Sequence, residues 1–323
     1  MPGLSILKSK EPEPAPEPEP MAGPSFVCLL NCKAGSCDPT ATTRLIEEIA
    51  AELGLRVHVL APEADTDLTA LAREAVDAGA TVVAAGGGDG TINAVASALV
   101  GSDVALGVLP LGTLNHFAKD LGIPLNVEAA IRTIFSGSPI AVDVGAVNDR
   151  IFLNNCSLGL YPRIVRQREA HQSRGLPKWI AFIRALFYAA RTHTSVYLRL
   201  KIDNERSEIR KTPFVFIGNN RYELAGLQIG KRASLTGGHL WICKAPDVGR
   251  AGLLRLTLRA LTGRLKGRDL EATEAREAWI ETRSPHTSIS TDGEVQRIQS
   301  PLHYRSLPQA LKVLVPRNPP PVV

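Results

Sequence analysis

The sequence has few aromatic residues, no long apolar run and none of several common catalytic signatures, and each absence narrows its function. Aromatic residues make up 5% of the 323 residues, which argues against a base-stacking surface, so we expect no nucleic-acid partner. No stretch approaches the roughly 20 uninterrupted apolar residues of a membrane-spanning helix, which leaves peripheral contact as the expected mode of membrane binding. The chain also lacks a Gly-x-Ser-x-Gly segment, a Walker A segment and histidines at metal-ligand spacing. These absences argue against serine hydrolases, P-loop nucleotidases and histidine-bound metal sites.

Cysteine is scarce as well. The five cysteines are Cys28, Cys32, Cys37, Cys156 and Cys243. An odd count without a secretory leader predicts free thiols in a reducing compartment, and so a cytoplasmic location. The first three lie close together, but no second Cys/His pair has zinc spacing, so we expect them to pack locally rather than to bind a metal.

Charge is unevenly distributed along the chain. The formal net charge is +5, although residues 11–20 carry four Glu and no basic residue, so the remainder is more basic than the whole. A basic body predicts an anionic partner such as a nucleotide or an acidic lipid surface. The Pro/Glu-rich segment 1–24 is predicted to be a disordered leader, and 317–323 a flexible tail.

Between these ends the pattern predicts two domains. Short apolar strands alternate with helical stretches over 25–139, which is typical of a doubly wound α/β domain with a parallel sheet. From 140 to 316 many short strands separated by turns predict an antiparallel β-sandwich domain. Two basic amphipathic stretches, Leu176–Thr192 and Arg250–Leu265, interrupt it. They fit either packing on their own domain or docking to an anionic bilayer.

The most informative segment is Gly86–Thr91, which reads Gly-Gly-Gly-Asp-Gly-Thr between a buried strand and a helix. Glycines at a helix N-terminus expose backbone amides that favour phosphate. A carboxylate beside phosphates is repulsive unless it holds a metal ion, accepts a proton or binds a hydroxyl. Asp89 therefore indicates chemistry on a phosphate.

Two further loops are predicted to meet the glycine loop. Asn31–Ser36 and Pro110–Asn115 also follow predicted strands, and ligands of such sheets bind beyond the carboxyl ends of the strands. Far along the chain, Asp292-Gly293-Glu294 has two interpretations. It is a common hairpin turn, and it is also an acidic pair of the kind that phosphoryl transfer needs for the attacking hydroxyl and for Mg²⁺.

Four segments stand in order along the chain: Gly86–Thr91, Pro110–Ala118, Gly218–Tyr222 and Asp292–Glu294. Together they closely resemble the diacylglycerol kinase/sphingosine kinase catalytic superfamily, particularly its bacterial lipid-kinase branch, over about Ser25 to Pro316. The resemblance implies an ATP site between the two domains and Mg²⁺-dependent transfer of the γ-phosphoryl group to a lipid hydroxyl. It leaves diacylglycerol-like and sphingoid-like acceptors open.

The resemblance also implies roles for individual residues. Glu294 would accept the proton, with Asp292 beside it and Asp89 organising the metal or the hydroxyl. The residues implied to bind the nucleotide are Asn31, Gly87, Gly88, Asp89, Gly90, Thr91, Ile92, Asn93, Gly112, Thr113 and Asn115. Base and metal roles are not divided among the three carboxylates by sequence, and the metal ligands and the oligomeric state stay unassigned.

The sequence departs from the family pattern at two positions on the nucleotide side. Ala94 and His116 stand where many relatives have Glu and Asp. These departures keep a second function open, a non-catalytic nucleotide- or lipid-binding protein on a kinase scaffold. A kinase related to the NAD kinase group is a third alternative, because that group also uses a Gly-Gly-Asp-Gly loop.

Overall fold

The structure is a computed structural model, and it describes the greater part of the chain. The described ranges are 25–32, 37–63, 66–159, 195–225, 228–232, 234–249 and 269–317, with the single residues 252, 255, 256 and 259. The predicted leader 1–24 and the predicted helix Leu176–Thr192 lie outside the described residues, as does most of the predicted helix Arg250–Leu265.

The first half of the chain alternates between strands and helices. Its elements are β1 (Phe26–Leu30), α1 (Pro39–Glu52), β2 (Val57–Leu60), α2 (Leu68–Asp77), β3 (Val82–Gly87), α3 (Asp89–Leu99), β4 (Ala105–Pro110), α4 (His116–Asp120) and α5 (Val127–Ser136). The four strands pair in parallel in the order β2-β1-β3-β4. The order therefore reverses between β1 and β3, and such a switch point is where open α/β sheets bind ligands.

Local sequence explains where the first helices begin. Asp38 and Asp67 each accept hydrogen bonds from two backbone amides at the start of α1 and α2. Both helices then bury one apolar stripe, because a helix beside a sheet exposes only its outer face. Helices α1 and α5 pack together, and so do α2 and α3. Right-handed crossovers place these two pairs on opposite faces of the sheet.

The second half of the chain is built from strands. They are β5 (Ser138–Val147), β6 (Arg150–Phe152), β7 (Asn155–Gly159), β8 (Val196–Ile202), β9 (Glu208–Thr212), β10 (Phe214–Asn219), β11 (Tyr222–Ala225), β12 (Gln228–Arg232), β13 (Leu240–Lys244), β14 (Glu271–Ala275), β15 (Glu277–Thr282), β16 (His286–Thr291), β17 (Glu294–Gln299) and β18 (Leu302–Val315).

Two sheets enclose the second core. Six strands form an antiparallel sheet in the order β14-β13-β10-β7-β16-β17, and β18, β15, β8 and β9 continue the parallel sheet of the first half. Leu200, Ile280 and Tyr304 from the continued sheet pack against Ile217 and Ile289 from the antiparallel one. The predicted fold class, an α/β domain followed by a β-sandwich, is confirmed.

The long strand β18 belongs to both halves. Its Lys312 and Val313 pair in parallel with β4, and its residues 304–307 and 311–315 pair antiparallel with β5. Leu311 is buried in the first core, whereas Tyr304 is buried in the second. The two halves therefore share one backbone hydrogen-bonded sheet. Among the described helices, none combines the length and the apolar character that crossing a bilayer requires.

Candidate active site

Three loops meet at the carboxyl ends of β1, β3 and β4. The Asn31 side-chain amide donates to Thr91 Oγ1 at 3.2 Å, and the Asn31 backbone amide donates to the Gly86 carbonyl at 2.7 Å. On the other side, a Cβ on Gly112 would lie only 2.6 Å from the Gly88 Cα. Glycine is required at 112 because two backbones touch there. Asn31, the glycine loop and the loop after β4 thus adjoin one another at this edge, and residues 33–36 of the first predicted loop lie outside the described residues.

The glycine loop opens helix α3 without a side-chain cap. Gly88 is the N-cap residue, with φ −86° and ψ −179°, and it contributes no capping hydrogen bond. Ile92 N donates to the Gly88 carbonyl at 3.0 Å, whereas the preceding first-turn amides lie beyond the reach of intrahelical partners. The Ile92 side chain is fully buried in the first core, so only its backbone borders the loop.

Asp89 joins the glycine loop to helix α4. Its two carboxylate oxygens accept hydrogen bonds from the backbone amides of His116 and Phe117, each at 3.3 Å. A carboxylate at a helix N-terminus is favoured by the free amides and by the helix dipole. The residue at 116 therefore takes part through its backbone, while its side chain is exposed.

Asn115 shapes the loop that follows β4. Its backbone is left-handed, with φ +51°, and its side chain accepts from Gly112 N at 3.0 Å and donates to the Gly112 carbonyl at 2.8 Å. Because the Asn115 side chain is hydrogen-bonded to the Gly112 backbone, it fixes the path of the loop between them. Thr113 and Leu114 lie in that part of the loop and are exposed.

Asp292 and Gly293 form the tight turn between β16 and β17. Their φ values are +48° and +93°, which match the type I′ hairpin turn that Asp-Gly favours. The hairpin interpretation of this segment is therefore correct. The turn also brings the Asp292 side chain onto helix α3, where it accepts a hydrogen bond of 2.7 Å from Asn93 Nδ2.

The Asp292 carboxylate is buried and fully hydrogen-bonded. Besides Asn93, the backbone amides of Leu153, Asn154 and Asn155 donate to it at 2.7–3.0 Å. Burial raises the pKa of Asp292, and these four hydrogen bonds oppose that rise. We call Leu153–Asn155 the junction turn, because it connects the hairpin to helix α3 through Asp292.

Glu294 lies directly against the first turn of α3. A Cβ placed on Gly90 would collide with Glu294 Oε1, so the glycine leaves the space that this carboxylate occupies. Asp89 is the preceding residue in the same turn. The structure therefore brings acidic residues that are about two hundred positions apart to one helix N-terminus.

Sequence reasoning missed a buried cation beside this site. The Arg232 side chain is 0% exposed and forms an ion pair with Asp120, with 2.7 Å between Nε and Oδ2. The same guanidinium donates to the Leu153 carbonyl and to Asn154 Oδ1 of the junction turn. No spacing in the sequence links these residues, because the two charges lie 112 positions apart.

The expectation that all cysteines are free thiols is wrong for two of them. Cys32 and Cys37 form a disulfide with a Cα–Cα distance of 5.6 Å, in the loop that leaves β1. That distance lies in the range that a disulfide spans, and a count of cysteines carries no information on it. Cys28, Cys156 and Cys243 are free and buried, as expected. Burial raises the pKa of each of these three thiols to about 12.

Comparison with known proteins gives consistent matches over both halves. Residues 25–147 match the diacylglycerol kinase catalytic domain, and residues 159–315 match the YegS C-terminal NAD kinase beta sandwich-like domain. The probable lipid kinase YegS of Escherichia coli O9:H4 strain HS is 32% identical over 276 residues, covering 82% of this chain and 88% of that protein.

Solved structures show the same fold. A diacylglycerol kinase from Bacillus anthracis strain Sterne superposes with a TM-score of 0.70 at 21% identity, over 91% of this chain and 97% of that one. An NAD kinase from Archaeoglobus fulgidus, solved in complex with ATP, has a TM-score of 0.50 at 10% identity, over 90% and 93% of the two chains.

Proposed function

This chain belongs to the family of the probable lipid kinase YegS, and we propose that it transfers the γ-phosphoryl group of ATP to the hydroxyl of a lipid. The observation that carries the proposal is the contact of Glu294 with Gly90 in the first turn of α3. This contact places a carboxylate from the second half of the chain beside a helix N-terminus suited to phosphate. A hydroxyl acceptor and a phosphoryl donor would meet there.

The glycine loop would hold the phosphates of ATP. Its backbone can approach a ligand closely at Gly88, which carries no side chain, and the N-terminus of α3 favours negative charge. Thr91, oriented by Asn31, would contribute a hydroxyl, and the exposed Thr113 would contact the nucleotide from the neighbouring loop.

Glu294 is the carboxylate best placed to accept the proton of the attacking hydroxyl. The Asp292 carboxylate is held against helix α3 and the junction turn, and the Asp89 carboxylate caps helix α4. Glu294 is an exposed residue that lies against the first turn of α3, where an acceptor hydroxyl can reach its carboxylate. We therefore assign proton acceptance to Glu294, the positioning of the hairpin to Asp292, and the joining of the two nucleotide loops to Asp89.

The residues present fit Mg²⁺ together with ATP. Mg²⁺ is usually held by one or two carboxylates together with substrate phosphates and water, and Asp89 and Glu294 flank one helix turn. When bound, the ion would neutralise charge that develops on the transferring phosphoryl group. We assign Asp89 to the ion, because each of its oxygens accepts one hydrogen bond from α4 and retains a second lone pair, and because Glu294 is assigned to the hydroxyl.

The proposal is tested by incubating the purified chain with γ-labelled ATP, Mg²⁺ and a mixed lipid extract, then identifying the labelled product. We expect a phosphorylated lipid with a diacylglycerol-like or sphingoid-like backbone, and a loss of product with Asp89→Asn. A parallel assay replaces the lipid extract with NAD as the phosphoryl acceptor. Labelled NADP in place of labelled lipid would assign the chain to the soluble-substrate alternative, and ATP binding without any transfer would favour a non-catalytic protein.

A further inference from the structure

Arg232, the last residue of β12, makes more contacts than a structural ion pair requires. Its guanidinium bonds Asp120, the carbonyls of Leu153 and Asn219, and Asn154 Oδ1, at 2.6–3.3 Å. A buried charge is costly unless it is paired and hydrogen-bonded, and here every edge of the guanidinium has a partner.

Only arginine suits this position. Its planar fork presents five donors in fixed directions, whereas lysine offers a compact point charge. The rings of Phe117 and Tyr222 confine the guanidinium, each with its centroid 6.0 Å from the guanidinium carbon. The Tyr222 hydroxyl also donates to the Asn154 carbonyl at 3.0 Å, so the junction turn is held from the same side by two side chains.

One path of contacts leads from Arg232 to the glycine loop. Its partner Asp120 is the last residue of α4, and Asp89 accepts hydrogen bonds from the first amides of that same helix. Helix α4 has five residues, so Arg232 and Asp89 contact opposite ends of one short element.

A second path leads from Arg232 to the hairpin. The junction turn accepts from Arg232 through its carbonyl and side-chain oxygens, and it donates its backbone amides to Asp292. Asp292 in turn binds Asn93. Asn93 and Asp89 lie four residues apart on α3, so they share one face of that helix. The two paths therefore form one closed ring of contacts. We call it the ring, and its members are Arg232, Asp120, Asp89, Asn93, Asp292 and the junction turn.

We infer that Arg232 is a positioning residue for phosphoryl transfer. It holds the junction turn, and through Asp292 the neighbouring Glu294, at a fixed place relative to the first turn of α3. The inference rests on the proposed function, because it assumes that Glu294 accepts the proton. Arg232 touches neither the glycine loop nor Glu294, so it acts on the site only through Asp292 and Asp89, and its loss should lower kcat more than it raises the KM for ATP.

The test compares Arg232→Met with Arg232→Lys in the full chain. Met keeps the volume of the stem without the charge. We expect kcat to fall by at least about tenfold and the KM for ATP to change by a smaller factor, because small misplacements of reacting groups lower rates steeply. Lys can satisfy part of the partner set, so its kcat should lie between those of Met and the native residue.

A matched control separates positioning from general loss of stability. Leu200 is buried in the second core and lies outside the ring, so Leu200→Ala destabilises the fold without touching a ring member. At an assay temperature where both variants stay folded, Leu200→Ala should keep the native kcat. An equal loss of kcat in Leu200→Ala and Arg232→Met would overturn the inference, and so would a native kcat in Arg232→Met.

A second readout does not depend on the reaction. Hydrogen exchange of the Leu153–Asn155 amides, measured without substrate, should accelerate at least about tenfold in Arg232→Met. The substitution removes the hydrogen bonds from Arg232 to the junction turn, so the turn should open more often and expose its amides to water. Unchanged exchange would contradict the positioning role even if activity falls. If the native chain phosphorylates no lipid, the proposed function fails, while the exchange measurement still decides whether Arg232 holds the turn.

Discussion

At the scale of single residues, the site depends on glycines whose missing side chains leave room for a neighbouring backbone or side chain of the same protein. Gly112 lets two loop backbones touch, and Gly90 leaves the space that the Glu294 carboxylate occupies. These are different uses of one residue type, since the first concerns backbone contact and the second makes room for a carboxylate from the other half of the chain. Neither position has a left-handed backbone, so the absence of a side chain is what matters.

Gly90→Ala is the sharpest test of the second use. Alanine favours helix over glycine, so the substitution should leave the fold intact, yet its Cβ displaces Glu294. We expect turnover to fall by about 10²-fold, the order of loss that follows from misplacing a reacting group by about 1 Å. The measurement is labelled lipid phosphate per mole of enzyme.

Gly249→Ala is the matched control for that substitution. A Cβ at Gly249 meets nothing within 4 Å, so this variant should keep native turnover. Native turnover in Gly90→Ala as well would show that the position of Glu294 has no bearing on the reaction.

Residues of the site differ in how far sequence alone could identify them. Asp89 and Glu294 stand in local patterns, a glycine loop and an Asp-Gly-Glu turn, that carry chemical meaning by themselves. Arg232 stands beside Lys231 in a short basic pair, which is typical of a solvated surface. The role of Arg232 depends on its ion pair with Asp120, which forms only in the folded protein, so no local sequence pattern could have revealed it.

At the scale of elements, the sequence pattern predicts strands over Phe26–Leu30 and Glu277–Thr282, which match β1 and β15 residue for residue. Several other elements are not predicted by the pattern. Helix α4 has five residues, which is too few for apolar residues to recur at helical spacing in the sequence. Strand β18 contains Pro308, which argues against a strand interior, but the proline lies where the register shifts between Leu307 and Leu311, and Gln309 there has φ +51°. Such an irregularity is visible only in the paired strand.

The loop after β1 gives a prediction about thiols. Without reductant, the folded protein should show no thiol that reacts readily with Ellman's reagent, because Cys28, Cys156 and Cys243 are buried and their pKa values are raised to about 12. In denaturant without reductant, only these three thiols should react. Five reactive thiols under that condition would show that Cys32 and Cys37 are not bonded.

At the scale of the whole molecule, one strand connects the two cores. Sequence analysis predicts separate domains over 25–139 and 140–316, a division that follows a change in pattern along the chain. Strand β18 comes from the end of the chain and still contributes Leu311 to the first core and Tyr304 to the second. Pairing between distant segments of this kind carries no signature in local composition.

We therefore expect a single cooperative unfolding transition in calorimetry. Leu311→Ala in the first core and Leu200→Ala in the second should each cost about 2–5 kcal/mol and shift that one transition. Ile209, which is 73% exposed, supplies the control, because Ile209→Ala should leave the transition in place. Two transitions, each shifted by only one core variant, would show that the halves unfold independently.

The central claim is that Glu294 accepts the proton of a lipid hydroxyl beside phosphates held on α3. The most direct measurement compares native protein with Glu294→Gln, using calorimetric binding of ATP with Mg²⁺ and labelled transfer to the accepted lipid. The amide keeps the size of the side chain and cannot take a proton. We predict unchanged ATP affinity and a transfer rate lower by about 10²-fold or more, the usual contribution of a general base. Transfer at the native rate by Glu294→Gln would contradict the claim.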